Sequence, residues 1–160
     1  MHPSVAAFID CINRQDVDGL CRLMTADHLF VDSLGDEVRG REAMRAGWPT
    51  YFGMVPDYQI TIADCVECGP VTAMFGRAGG TYAPGGRISL ENRWDTPAAW
   101  KAVVRDGLVA EWRVFADNEP IRRLMRRGPV VDCNNNAIPD NCDLSCGPEG
   151  GPCDVPGAGS

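Results

Sequence analysis

The segment Pro97–Pro120 constrains the fold of this chain more than any other segment. Two apolar-rich runs flank Asp106 and Gly107, and this dipeptide fits a two-residue hairpin turn because both central positions of that turn need positive φ. The second run carries large apolar side chains and ends at the carboxylate of Asp117. The sequence therefore predicts an antiparallel strand pair that ends in an acid.

The rest of the chain shows helical periodicity early and strand alternation late. The spacing predicts helices over 3–14, 17–24, 40–54 and 121–127, and strands over 28–34, 58–65, 71–76, 88–94, 98–105 and 108–116. Asp16 is expected to cap the second helix, and Pro49 to bend or interrupt the third. Gly79 and Gly80 are expected in a loop. This order predicts an α+β domain with helices packed on one face of a curved antiparallel sheet.

Charge and composition change near residue 128. The chain of 160 residues carries a net charge of -7, and its last 32 residues hold five acids and no Lys or Arg. We therefore predict a domain over 1–128 and a tail rich in Cys, Asn, Pro and Gly over 129–160. The net charge argues against a nucleic-acid partner, and no apolar run approaches the roughly 20 residues that span a bilayer.

Three segments carry a resemblance to a known family: FIDCINRQDVDGLCRLMTADHLFVDS (8–33), VRGREAMRAGW (38–48) and AVVRDGLVAEWRVFADN (102–118). Together they resemble the nuclear transport factor 2-like superfamily, in particular its SnoaL-like and ketosteroid-isomerase-like members, over about residues 4–127. The resemblance implies a cone-shaped, strongly curved sheet wrapped around helices, with an apolar pocket at its open end and no cofactor in the domain. Members include isomerases, cyclases, hydratases, epoxide hydrolases and proteins that only bind.

Two acids are candidate catalytic residues by this resemblance. Asp32 lies where HLFVDS resembles the segment that holds the general base of the steroid isomerases, and a carboxylate in an apolar cavity can move a proton beside a carbonyl. The alternative is an acid that ends a strand and bonds the amides of the next turn. Asp117 lies where WRVFAD resembles the acid of limonene-epoxide-hydrolase-like members, or it caps the last helix. Those hydrolases also need an Arg beside a second Asp, and the matching strand offers Arg77 without an Asp.

Steroid-type isomerisation is disfavoured by the donors that are missing. That chemistry uses a Tyr hydroxyl and a protonated carboxylic acid as its oxyanion donors. The positions that resemble them hold Phe8 and, within a residue or two, Trp100. Losing one such donor costs about 10²–10³ in rate. His28, at the start of a strand, is expected at the surface.

Aromatic residues are numerous for this length, and part of them should line the pocket rather than only fill the core. The predicted lining residues are Phe8, Phe30, Trp48, Tyr51, Trp100 and Trp112. Such a lining favours a flat, small apolar ligand. Two functions stay open: acid/base catalysis of isomerase, cyclase or hydrolase type through Asp32 and Asp117, or a non-catalytic ligand-binding or dimerisation domain that forms a homodimer.

The tail contains a candidate calcium loop, DCNNNAIPDNCD over 132–143, which resembles thrombospondin type 3 and dockerin-like repeats. Its oxygen ligands would be Asp132, Asn134, Asn136, the Ile138 carbonyl, Asp140 and Asp143. Ala137 replaces the usual Gly of such loops, and only three of the five side-chain ligands are charged, which predicts weak affinity. The alternative is an Asn-rich linker.

Four cysteines accompany this loop, at positions 133, 142, 146 and 153. They allow three disulfide pairings, or a four-thiolate zinc site. Disulfides and calcium indicate an extracytoplasmic protein, whereas the first residues, MHPSVAAFIDCINRQD, lack the pattern of a signal peptide and indicate the cytoplasm. The sequence leaves the compartment open.

Calcium should bind the full chain weakly, with a dissociation constant of about 10⁻⁴–10⁻³ M. Isothermal titration calorimetry checks this. The double variant Asp132→Ala/Asp140→Ala should lose the heat because it removes two ligands, whereas Asp154→Ala, outside the loop, should keep it. No heat from the unmodified chain at millimolar calcium would contradict the prediction.

Overall fold

Residues 1–86 and 88–127 are described by this computed structural model, and they form four α-helices and six β-strands. The helices are α1 (Pro3–Asn13), α2 (Val17–Leu23), α3 (Arg41–Met54) and α4 (Glu119–Arg127). The strands are β1 (Met24–Val31), β2 (Glu37–Arg39), β3 (Gln59–Cys68), β4 (Val71–Thr81), β5 (Arg93–Arg105) and β6 (Leu108–Ala116). The predicted α+β class is confirmed. The tail over 129–160, with its calcium-loop and cysteine predictions, lies outside the described residues.

The strands form one sheet with the order β2-β1-β6-β5-β4-β3. Neighbouring strands are antiparallel except β1 and β6, which run parallel. The predicted antiparallel sheet is confirmed as mostly antiparallel, and among the described strands β1 and β6 form its one parallel pair. Strand alternation in a sequence shows which side chains share a face but not the direction of a distant partner.

The predicted hairpin is confirmed between β5 and β6. Arg105 pairs with Leu108, and the two turn residues between them have positive φ, 51° at Asp106 and 75° at Gly107. Positive φ at both positions gives the turn whose twist matches that of the flanking strands. The hairpin brings Trp100 and Trp112 into the core, where both are almost fully buried.

The helices cover one face of the sheet. Helix α1 buries Val5, Phe8 and Ile12, which recur at helical spacing. Asp16 caps α2 as predicted, since its Oδ1 accepts a hydrogen bond from the Gly19 N–H at 2.7 Å. Helix α3 continues through Pro49 without the expected interruption. No helix of the described residues has the length and apolar character needed to cross a bilayer.

Two strand predictions were wrong around β5. Of the strand predicted over 88–94, only Arg93 and Trp94 are extended, and they open β5, because a short 3₁₀-helix over Leu90–Asn92 precedes it. Strand β5 then runs unbroken through Pro97, which pairs with β4 but lies beyond the point where β6 begins to pair, at Ala98. The missing N–H of Pro97 therefore costs no ladder bond to β6.

Strand β4 is longer than predicted and passes through Gly79 and Gly80 to Thr81. Close neighbours leave no room for a Cβ at Gly79 and Gly80, nor at Gly76 on the same strand. A Cβ at Gly76 would overlap the Thr61 carbonyl of β3, and one at Gly80 would overlap the side chain of Val55. The short strand β2 was not predicted, and all three of its residues are exposed, so its sequence carries no burial pattern.

His28 is fully buried, which contradicts the expectation of a surface position. Its Nδ1 lies 2.7 Å from the Val109 carbonyl oxygen, so the side chain joins β1 to β6. Its Nε2 has no hydrogen-bond partner among the described residues. Burial lowers the pKa of His28 from its ordinary value of 6.5, and the bond to Val109 opposes this change only in part.

The buried His28 should make the fold sensitive to mild acid. Because its pKa is lower in the folded chain, the unfolded chain binds the proton first as the pH falls below 6.5. The free energy of unfolding should therefore fall, by up to about 1.4 kcal/mol per pH unit, below pH 6.5. Urea unfolding between pH 7 and 5 measures this, and His28→Gln should flatten the dependence. An equal slope in His28→Gln would contradict it, and His2→Gln is the matched control for the other histidine.

Candidate ligand-binding site

A cavity of about 350 Å³ lies between α3 and the inner face of the sheet. Phe30 of β1 and Ile60 of β3 both line it, although their strands lie far apart in the strand order. The sheet must therefore curve to enclose this space. Helix α3 contributes Met44, Trp48 and Tyr51, whose spacing places them on one helical face.

Aromatic side chains dominate the lining. The seven are Phe30, Trp48, Tyr51, Tyr58, Trp94, Trp100 and Trp112. Five of the six residues named from the sequence are among them. These seven aromatic side chains form the aromatic wall of the cavity. Phe8 is not one of them, because it is fully buried behind the wall, with its ring centroid 5.0 Å from that of Trp112. The sequence analysis missed Tyr58 and Trp94 as lining residues.

Trp48 is the centre of the aromatic wall. Its ring stacks on Phe52 with centroids 5.1 Å apart, and it meets Tyr51 and Phe30 edge to face at 6.4 Å and 6.3 Å. Such offset and edge-on pairs stabilise a fixed arrangement of rings. The wall is therefore preformed in the protein.

Two hydroxyl groups belong to this wall. The rings of Tyr51 and Tyr58 meet at 86° with centroids 5.0 Å apart. Burial raises the pKa of Tyr58 to about 12 and raises that of Tyr51 well above its usual range. Both phenols therefore keep their protons at neutral pH and can act as hydrogen-bond donors.

Asp32 follows β1 directly and lines the cavity. Its Oδ1 accepts hydrogen bonds from the backbone N–H groups of Leu34 at 2.8 Å and Asp36 at 3.0 Å. Oδ1 thus has the structural role named as the alternative for Asp32 in the sequence, that of an acid at a strand end bonded to the amides of the next turn. Oδ2 accepts no hydrogen bond from the described residues, so one oxygen is fixed by the turn and the other is open to a partner.

Other polar groups of the lining lie close to Asp32 in sequence or on β5 and the end of β6. The Asn118 amide donates to the Ser33 hydroxyl, and the Thr96 hydroxyl donates to the Asp117 carbonyl oxygen at 3.1 Å. None of them is charged. Among the described lining residues, Asp32 is the one acidic side chain, and Lys, Arg and His are absent from that lining.

Asp117 does not line this cavity. Its side chain is exposed, and Oδ1 accepts the Glu119 N–H at 2.9 Å, which caps α4. It borders a shallow depression on the outer face of the sheet, beside Phe75 and Phe115. The structure thus does not bring Asp32 and Asp117 together.

Arg77 has a carboxylate partner that the sequence analysis did not foresee. Asp95 on β5 forms an ion pair with it. Asp95 pairs with Gly79 in the β4–β5 register, and Arg77 lies two residues from Gly79 on β4, so the side chains of Arg77 and Asp95 share the outer face. Both side chains are about half exposed, and neither lines the cavity. This pair therefore cannot act on a molecule inside the cavity. Within the described residues, no group of three or more His, Cys, Asp or Glu side chains is arranged to hold a metal ion.

Sequence comparison decides the family. The family model described as the SnoaL-like domain matches residues 5–112, which is more than half of the chain. The chain belongs to the SnoaL-like family. No curated protein is similar enough to the SnoaL-like chain in sequence to be matched.

Solved structures share the fold of this SnoaL-like domain. A protein from Jannaschia, described as a SnoaL-like polyketide cyclase, has 21% identity and a TM-score of 0.67, and the match covers 79% of this chain and 91% of that one. An LEH-like epoxide hydrolase from Mycobacterium tuberculosis has 17% identity and a TM-score of 0.64 over 79% and 90%. A protein of ketosteroid isomerase-like fold from Catenulispora acidiphila, in complex with trimethylamine, has 18% identity and a TM-score of 0.61 over 71% and 84%. The predicted nuclear transport factor 2-like fold is confirmed, and proteins of this fold bind small molecules.

Proposed function

We propose that this SnoaL-like domain binds a small, largely apolar molecule in its cavity and moves a proton to or from it through Asp32. One observation carries the proposal: a lone carboxylate stands in a lining that is otherwise aromatic, aliphatic or neutral. Carboxylates that face pockets are more often functional than those on open surfaces. A charge also acts more strongly on a bound molecule when water is excluded.

The geometry of Asp32 suits a general base. Oδ1 is held by two backbone N–H groups, so the carboxylate keeps one orientation while Oδ2 is open to take a proton from a carbon of the molecule or from an attacking water. The proton then returns to the product, at another carbon or at the oxygen that has gained negative charge. The reaction is a proton transfer of isomerase, cyclase or hydrolase type, and it needs no cofactor.

Neutral hydroxyls support the same reaction. Tyr58 comes from the β3 side of the cavity, whereas Asp32 comes from the β1 side. A carbonyl oxygen bound near Tyr58 would receive a hydrogen bond as negative charge develops on it. Tyr58 and Tyr51 thereby offer hydroxyl donors, whereas Phe8 has no donor and Trp100 has only an indole N–H.

The relatives give precedent for catalysis on this fold but do not choose the reaction. Polyketide cyclases and an epoxide hydrolase occur among the similar structures, at identities that speak for the fold alone. Asp117 has no place in the proposed reaction, because its carboxylate lies on the outer face as a helix cap.

A second candidate function is a non-catalytic ligand-binding or dimerisation domain. A row of apolar side chains, Phe75, Ala99 and Phe115, crosses β4, β5 and β6 in register on the outer face. The two phenylalanines are 50% and 54% exposed, which is unusual for aromatic side chains on a sheet. A second copy of the chain could cover this row.

Catalysis through Asp32 is tested by separating binding from turnover. Flat ketones that raise the melting temperature are incubated in D₂O, and NMR measures deuterium incorporation at carbon. Asp32→Asn should keep the thermal shift, because its amide oxygen can still accept the turn N–H bonds, but should lose about 10²–10⁴ in exchange rate. The matched control Asp117→Asn should keep both. Equal exchange rates in Asp32→Asn and the unmodified chain would contradict the mechanism, and no shift with any ligand would contradict the proposed binding.

Dimerisation through the outer face is tested by sedimentation velocity. We expect a dimer, and we expect Phe115→Lys to shift it to a monomer because a stable interface of roughly 800 Å² per partner cannot bury an unpaired charge at its centre. Leu90→Lys is the matched control, since Leu90 is exposed but outside this row. A monomer in the unmodified chain would contradict dimerisation through this face and leave only the ligand-binding form of the second candidate.

A further inference from the structure

We infer that the ligand of this cavity is a small organic cation, an alkyl- or arylammonium ion whose charged nitrogen lies between Asp32 and the aromatic wall. The inference rests on the proposed function only in placing a small molecule in this cavity. It adds the chemical class of that molecule.

The charge of the lining is the first argument. Asp32 brings one negative charge, and no described lining residue brings a positive one. Elsewhere in the described chain most acids near the surface have a cationic partner, as Asp27 has in Arg105 and Asp95 in Arg77. Asp32 takes part in none of the ion pairs of the described residues. Its open oxygen, Oδ2, is the place where a ligand can supply the missing positive charge.

The aromatic wall is the second argument. The face of each ring carries negative electrostatic potential, and a cation within about 6 Å of the ring centroid is attracted to it. Four of the seven lining aromatics are tryptophans, which attract cations best: Trp48, Trp94, Trp100 and Trp112. Because burial keeps Tyr51 and Tyr58 protonated, their rings act as neutral ring faces of the same kind.

The alternatives fit this lining less well. An anionic ligand would meet Asp32 with no cation to offset the repulsion. A neutral ligand can fill the cavity but leaves the negative charge of Asp32 without a positive partner, so it should bind less tightly than a cation of the same shape. An ammonium ion with methyl or larger alkyl groups offsets the charge and also buries apolar surface. The volume of about 350 Å³ is at the small end for ligand sites, which favours a compact molecule.

Two soluble probes of nearly the same shape test the inference on the full chain. Choline carries a quaternary nitrogen, and 3,3-dimethylbutan-1-ol has a carbon in its place. In calorimetry with the two probes competing for the cavity, the dissociation constant of choline should be at least tenfold lower than that of the alcohol. Asp32→Asn should reduce that ratio at least fivefold, whereas Asp36→Asn, an exposed acid of the same turn, should leave it unchanged. Added salt should weaken choline binding and leave the alcohol unaffected.

The outcomes separate this inference from the proposed function. The inferred cationic ligand is contradicted if the alcohol binds as tightly as choline or more tightly, or if Asp32→Asn leaves the ratio of the two dissociation constants unchanged. In either case the cavity still binds small molecules. If neither probe binds, the inferred cationic ligand is also contradicted. The separate ketone screen then tests whether the cavity binds small molecules, as the proposed function requires. Thermal unfolding of both variants verifies that the turn after β1 stays folded.

Discussion

Strand β6 is the element on which both the sheet and the cavity depend. On one side it pairs with β5 through the tight turn at Asp106 and Gly107, and on the other it pairs in parallel with β1. The first pairing brings Trp100 and Trp112 to the cavity, and the second places Phe30 opposite Trp112. Asp32 follows two residues after Phe30, so the register of β6 also fixes where the carboxylate enters. The buried bond between His28 and the Val109 carbonyl holds that parallel pair together.

Much of this arrangement could be predicted because it depends on local sequence. The hairpin turn needs two residues that tolerate positive φ, the cap of α2 needs Asp16, and the aromatic face of α3 follows from helical spacing. What could not be predicted depends on distant partners. His28 is buried only because β6 lies beside β1, and Gly79 and Gly80 stand in a strand where the Trp94 carbonyl of β5 and the side chain of Val55 leave no room for a Cβ.

The candidate site divides in the same way. The aromatic content of the chain singled out five side chains that the structure places at the cavity, but depth within the core was not visible in the sequence. Phe8 lies behind Trp112 rather than in front of it, and Tyr58 reaches the cavity because β3 lies at the far edge of a curved sheet. The alternation of Tyr58, Ile60 and Ile62 was the signal that could have placed Tyr58 on the inner face.

Asp32 and Asp117 show that the same local motif, an acid bonded to the turn after a strand, can have different roles. Each follows a strand and accepts an N–H two residues further on through Oδ1. The structural role and a functional role are not exclusive, because they use different oxygens of one carboxylate. Fixing Oδ1 in the turn even favours function, since a group held in one orientation loses less freedom when it reacts. What separates the two acids is the face of the sheet that each strand end meets: Asp32 meets the aromatic cavity, and Asp117 meets solvent.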